Sequence, residues 1–196
     1  LNISFESSNR RELLIITDKQ QIYKARVSDF DDCKASVLGT YLPTKLGMDE
    51  GESVVTMLDP GDYRANILFA FANGKIARVE MSAYETKTNR KKLVNAYSDK
   101  SPLVSVLVLT EETDVVCVSG DERALMFNTS LLQPKTSRTT QGVAVMTLKP
   151  GRMLVRAVPA AESGILNAAR YRVRSLPAAG ALLKSEDKGE QQMSLL

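Results

Sequence analysis

Four cations fall within a six-residue stretch at Lys87, Arg90, Lys91 and Lys92. Lys135 and Arg138 then repeat Lys87 and Arg90 in register, at the same spacing from each other. Spaced lysines and arginines of this kind suit a polyanion. Each neutralises a phosphate and releases a counterion, and no base edge has to be read. Lys34, Lys75 and Arg78 stand behind this group as further candidates. Any one loop cation is equally well a solvated surface charge; recurrence at a fixed spacing is what sets the group apart.

The chemistry of bond-making is poorly supplied. The chain has no histidine, which removes the commonest general base and metal ligand. Gly47 and Gly51 lack the Lys-Ser/Thr that completes a phosphate loop. Cys33 and Cys117 are too few for a disulfide framework, and Cys117 lies in an apolar run as a small hydrophobe would. The expectation is a binding module without a catalytic residue of its own, in a reducing, cytoplasmic compartment.

Over 196 residues the net charge is only +3, so its placement says more than its total. Acidic residues crowd at 29–32, 49–52, 111–114 and 186–190, apart from the basic loops. No apolar run approaches the roughly 20 residues of a membrane helix. The first residue is Leu1 and the pattern is already under way there, so the chain reads as a C-terminal piece of something longer.

The elements that must carry the cations come in threes. Ile67-Leu68-Phe69-Ala70-Phe71, Asn73-Gly74 and Lys75-Ile76-Ala77-Arg78-Val79 form an apolar run, a tight turn and a second run. Asn-Gly is a strong hairpin signal because both residues tolerate positive φ. The layout also occurs earlier in the chain, as 13–17, 18–21 and 22–27, and later, as 115–119, 120–123 and 124–127. A period of about 50 residues is the mark of a propeller-like array built from small sheets. The repeats span 11–58, 64–109 and 113–158. The first is expected to hold a third strand near 39–45, and the third a strand over 143–148. An ordinary β-sandwich with fortuitous spacing is the competing reading.

With its repeats laid out, the chain resembles the C-terminal domain of a bacterial type IIA topoisomerase A subunit, of DNA gyrase or of topoisomerase IV. The likeness rests on 67–78, on Ser137-Arg138-Thr139-Thr140-Gln141-Gly142-Val143 and on the turn Asp18-Lys19-Gln20-Gln21. It implies an all-β fold, a β-pinwheel of about three four-stranded blades, short and open or built with its neighbour, with strands exchanged between blades. It implies that residues 1–158 bind and bend double-stranded DNA without reading sequence, guiding the transported segment during ATP-dependent strand passage. ATP and Mg²⁺ would act through other domains or subunits, and the B subunit would be met through parts outside this chain. The Gln-Arg-Arg-Gly-Gly box of gyrase is missing, which favours a topoisomerase IV-like role. Family catalysis uses a tyrosine after an arginine; Arg170-Tyr171 echoes that dipeptide in the tail and is read as coincidence. The alternative is a propeller-like protein-interaction scaffold with little DNA binding.

From Pro159 the pattern lapses. Residues 159–183 are expected to form a strand pair, as a curtailed fourth unit, or a short helix, and 184–196 a disordered tail. The last residues, Gln192-Met193-Ser194-Leu195-Leu196, resemble the short motif by which bacterial replication proteins dock on the sliding clamp. Gln192 would supply hydrogen bonds there, and Met193, Leu195 and Leu196 would fill a pocket.

Overall fold

The runs that carry the repeats are apolar at nearly every position, which suits strands buried on both faces rather than on one. The protein is known here as a computed structural model that describes residues 5–8, 10–34, 36–86 and 90–189. The first repeat gives β1 (Glu12–Thr17), β2 (Ile22–Arg26), a one-turn α1 (Leu42–Leu46) and β3 (Val54–Leu58). The second gives β4 (Asn66–Phe71), β5 (Lys75–Glu80), β6 (Lys92–Leu93) and β7 (Leu103–Leu109). The third gives β8 (Asp114–Ser119), β9 (Arg123–Asn128), β10 (Val143–Ala144) and β11 (Leu154–Pro159), and β12 (Ala181–Leu182) follows.

These strands make three four-stranded sheets in the orders β3-β1-β2-β6, β10-β5-β4-β7 and β11-β8-β9-β12. Each sheet is therefore completed by a two-residue strand from the following stretch of chain. Repeat two closes the first sheet, repeat three closes the second, and the C-terminal extension closes the third. The fold is a β-pinwheel with exchanged edges. The sandwich reading falls because the strands divide into three separate sheets, one for each repeat.

Hairpin register repeats with the sequence. Leu14 pairs with Lys24, Leu68 with Arg78 and Val116 with Met126. Each turn holds one residue at positive φ, namely Gln20, Gly74 and Glu122. The incoming donated segment bonds to the carbonyl of that residue in all three blades. Ala96 N donates to Gln20 O at 2.9 Å, Val145 N and Met146 N to Gly74 O at 3.0 Å, and Leu183 N to Glu122 O at 2.8 Å. Of these three turns, only the middle one requires glycine. A Cβ there would stand 2.3 Å from Met146 O.

Both faces of the middle sheet are buried. One packs Ile67, Phe69 and Phe71 against Leu14, Ile16 and Ile22 of the first sheet. Tyr84 and Tyr97 seal that seam, with the Tyr97 ring stacked on Phe69 at 5.4 Å and its hydroxyl donating to Thr17 O at 2.6 Å. The other face packs Leu68, Ala70 and Ile76 against Val115, Cys117, Leu125 and Phe127. Burial pushes the Cys117 thiol up to about 12, so it stays protonated as a core group.

The ends differ from what the sequence leads one to expect. The segment near 39–45 is not a strand: Pro43 enters the first turn of α1 and Gly47 closes it in the left-handed conformation, both helix signals. Leu46 and Met48 then cover the outer face of the first sheet over Leu13, Ile15 and Tyr23. Of 143–148 only Val143–Ala144 is strand. Residues 159–183 form no strand pair of their own, and the short-helix alternative is met only by 3-10 helices. Short 3-10 turns at Ala160–Glu162 and Ala168–Tyr171 lay Ile165, Tyr171 and Leu183 over the outer face of the third sheet, and β12 completes its edge.

The expected disorder from 184 onward is also corrected as far as 189. Asp187 is buried and accepts from the Tyr171 hydroxyl at 2.6 Å and from Arg170 at 2.7 Å, so the charged stretch is ordered by a paired carboxylate. Tyr171 is thus an apolar cap with one buried hydrogen bond. Residues 190–196, with Gln192, Met193, Leu195 and Leu196, lie outside the described residues. No helix among the described residues is long and apolar enough to cross a membrane.

Gly142 stands directly before β10 at φ +73°, where a Cβ would be 2.2 Å from Ile76 O. Gly142→Ala is therefore expected to lose about 2–4 kcal/mol in urea unfolding, from left-handed strain and forced separation of the two backbones. Gly151→Ala, where a Cβ meets open space, provides the strain-only comparison and should cost about 1 kcal/mol.

Candidate nucleic-acid interface

The basic loops are the approaches to the donated strands, and this fixes where their cations go. Residues after β5 run through Arg90 and Lys91 into β6, so they reach the first sheet, where Lys24 N donates to Lys91 O at 2.8 Å. Residues after β9 run through Lys135 and Arg138 into β10 and reach the second sheet, where Lys135 N donates to Arg78 O at 2.9 Å. Because one loop returns to each sheet, cations at matching positions of successive repeats are placed on adjoining blades.

Arg90 and Arg138 meet across an open groove of about 430 Å³, lined also by Thr86, Asn95, Ser137 and the acidic Glu85. Arg90 borders a second groove with Arg26 and Lys91, and Lys91 borders a third with Lys45. The shared residues make these one connected track, Lys45–Arg26–Lys91–Arg90–Arg138, along the first blade and over its seam with the second. Acidic groups on the track are partly engaged. Asp29 accepts from Arg26 N at 2.8 Å, and Glu12 lies 3.4 Å from the Lys24 ammonium.

Other expected cations are placed elsewhere. Lys92 points to Asp49, with both carboxylate oxygens at 2.9 Å, and lies over the Tyr23 ring at 5.4 Å. The Asp49 carboxyl is held below the usual carboxylate range by Lys92 first and Gln21 second, and Lys92 is raised by the same contact. Lys75 is half-buried beside β10 and reaches Gln141 Oε1 at 3.5 Å. Lys34 and Lys135 are exposed and are not among the residues that line these three grooves. Lys87 lies outside the described residues.

Arg78 requires a correction. It is buried, donates to Glu112 through Nη1 and Nη2 at 3.1 and 2.8 Å, and also reaches Thr129 O and Leu132 O. Its position explains this: it sits in the middle of β5 and faces the third blade. Its counterpart in repeat one, Lys24, is also buried and reaches Tyr84 O, the position equivalent to Leu132. The counterpart in repeat three is Met126, packed under the C-terminal cap. A cation stands where another blade follows and an apolar residue where the cap follows. Arg78 joins blades and is not available to a phosphate.

The residues that sequence alone missed are Arg26 and Lys45. Neither recurs in register, since the position of Arg26 is Glu80 in repeat two, and Lys45 sits in the one-turn helix read as strand.

No family model matches the chain. Over 156 residues it is 26% identical to the DNA gyrase A subunit of Borreliella burgdorferi, covering 79% of this chain and 19% of that protein. It is 25% identical over 151 residues to the DNA topoisomerase 4 A subunit of Staphylococcus epidermidis, covering 75% and 19%. The chain thus spans about a fifth of the length of these curated relatives. Among solved structures it resembles the C-terminal domain of DNA topoisomerase IV, with TM-score 0.70, 21% identity, and coverage of 80% of this chain and 49% of that one. It also resembles the DNA gyrase A C-terminal domain, with TM-score 0.64, 20% identity and coverage of 93% and 64%. The E. coli ParC C-terminal domain is a third neighbour, with TM-score 0.69, 14% identity and coverage of 91% and 79%. The chain has the β-pinwheel fold of those domains and is related in sequence to the A subunits of gyrase and topoisomerase IV.

Arg78→Met, which copies the third repeat, should cost about 2–4 kcal/mol, because two buried carbonyls and Glu112 lose their donor. Lys75→Met, on a partly exposed cation, should change stability by less than about 0.5 kcal/mol. Chemical denaturation of both variants measures the contrast.

Proposed function

We propose that this chain is a non-sequence-specific DNA-binding domain of a bacterial type IIA topoisomerase A subunit, and that it holds and bends duplex along the Lys45–Arg138 track. The observation that carries the reading is the convergence of Arg90 and Arg138, from successive repeats, on one groove. A backbone-following surface needs spaced donors for phosphates and no side chains aimed at base edges. The relatedness to gyrase and topoisomerase IV A subunits supports the same reading. The DNA held here would be the segment transported in ATP-dependent strand passage. ATP, Mg²⁺ and the B subunit would act through parts of the enzyme outside these residues, and the whole would work in the bacterial cytoplasm.

The absence of a Gln-Arg-Arg-Gly-Gly sequence from the 196 residues favours topoisomerase IV-like activity over gyrase-like wrapping. Residues 192–196 supply the chemistry of a sliding-clamp ligand; binding of a labelled 186–196 peptide to the clamp decides this. A second reading, a protein-interaction scaffold, draws on the internal neutralisation of Lys92 and Arg78.

Salt dependence separates the two. With Arg90, Lys91, Lys92 and Arg138 all changed to alanine, the affinity for duplex DNA should fall at least tenfold at low salt. The slope of log K against log salt should lose about three units, from Arg90, Lys91 and Arg138, since Lys92 is already held by Asp49. Unchanged affinity would leave the scaffold reading in place. Asp49→Asn releases Lys92 and should tighten binding, with a slope steeper by about one.

A further inference from the structure

The track that carries the cations has depth at one place, beside the outer face of the first sheet. The chain leaves β2 through a 3-10 turn at Val27–Asp29 and later returns over the same face with α1. Its cover there is thin. Phe30, Leu46 and Met48 are half-buried, whereas Ile165, Tyr171 and Leu183 over the third sheet are largely or fully buried. Between cover and sheet lies a cleft of two lobes, about 180 and 230 Å³, joined through Lys24, Ala25, Asp29 and Lys91, which line both.

The lobes differ in chemistry. Tyr23, Ala25, Phe30 and Leu46 give the smaller one apolar walls, with Lys45 as its own cation. The larger one sets Lys24, Arg26, Arg90 and Lys91 against two carboxylates, Glu12 and Asp29, an excess of two positive charges. Lys24 is buried, so one of these charges is held out of bulk water. Both carboxylates are engaged. Glu12 accepts from the Tyr63 hydroxyl and lies 3.4 Å from the Lys24 ammonium, and Asp29 accepts from Arg26 N at 2.8 Å.

An excess of two charges matches one phosphate monoester, which carries about −1.5 to −2 at neutral pH. Apolar walls with a few convergent polar groups are the usual form of a small-molecule site. The seam groove at Arg138 lacks the apolar half, since no aromatic side chain among the described residues lines it. Duplex DNA lying on the track would leave the smaller lobe empty, because its bases are stacked inside.

We infer that this cleft binds a small phosphomonoester carrying one aromatic ring system. The ring lies among Tyr23, Phe30 and Leu46, and the phosphate takes hydrogen bonds from Arg26, Arg90 and Lys91. Lys24 contributes charge alone, since its ammonium is already spent on Tyr84 O, Thr86 Oγ1 and Glu12. A bound ligand occupies cations that duplex would also use and so competes with it. Only that regulatory consequence rests on the DNA-binding reading.

The test is titration of 1-naphthyl phosphate into the protein, followed by calorimetry and amide chemical shifts. One ligand should bind per chain with a dissociation constant of about 0.1 mM or below, shifting Ala25, Phe30 and Leu46 most. Inorganic phosphate and 1-naphthol should each bind at least about tenfold more weakly. Phe30→Ala should weaken the ester by about fivefold or more and leave inorganic phosphate unchanged, whereas Lys91→Ala, an exposed change, should weaken both. Arg138→Ala, outside the cleft, should weaken duplex binding and leave the ester's affinity as it was, so the two readings fail separately. Naphthyl phosphate that binds no tighter than inorganic phosphate, or equally well to Phe30→Ala, would overturn the proposal.

Discussion

The closure of each sheet by two residues from the next stretch of chain is the interaction on which the rest of this structure depends. A three-stranded sheet with an open edge has a row of unpaired backbone groups beside its second strand. Here that row is met by β6, β10 or β12, and the donated chain then bonds to the carbonyl of the positive-φ residue in the hairpin turn. The hydrogen bonds are few, but they pair the backbone of consecutive blades that the crossing chain already joins covalently. Slippage between blades would break both the edge ladder and the contact at the turn.

The same crossing distributes charge. A loop that must leave its own hairpin and return to the previous sheet passes over the seam between them. Cations in that loop are therefore delivered to the seam, which is where Arg90 and Arg138 are found. Burial on both sheet faces explains why strands read as unbroken apolar runs, and why an outer sheet face needs a cover. At the C-terminal end the cover is made by Ile165, Tyr171 and Leu183, fastened through Asp187. Lys24 and Arg78, at matching positions of successive repeats, brace the interior seams with hydrogen bonds to carbonyls of the following blade.

Much of this is legible in the residues. Asn73-Gly74 and the matching hairpins mark out the repeats, and the Thr-Gln-Gly-Val run marks the approach to β10. Other features leave little trace. A two-residue strand has no alternation to read, so nothing local says which sheet Lys92–Leu93 joins. Arg78 reads as a surface cation because charge ordinarily means exposure; only Glu112 and two distant carbonyls make its burial tolerable. The ordering of 184–189 is hidden likewise, since composition does not reveal that Asp187 has Tyr171 and Arg170 waiting for it. Leu42–Leu46 carries its own helix signals in Pro43 and Gly47, which the repeat pattern masks.

Amide exchange in the presence and absence of a duplex of about thirty base pairs addresses the central claim most directly. If the returning loops both close the sheets and meet the nucleic acid, added protection should be confined to residues 24–26, 42–46, 90–95 and 136–144. Protection that falls instead on the C-terminal cover at 160–189, or on the acidic loop at 49–52, would contradict the account.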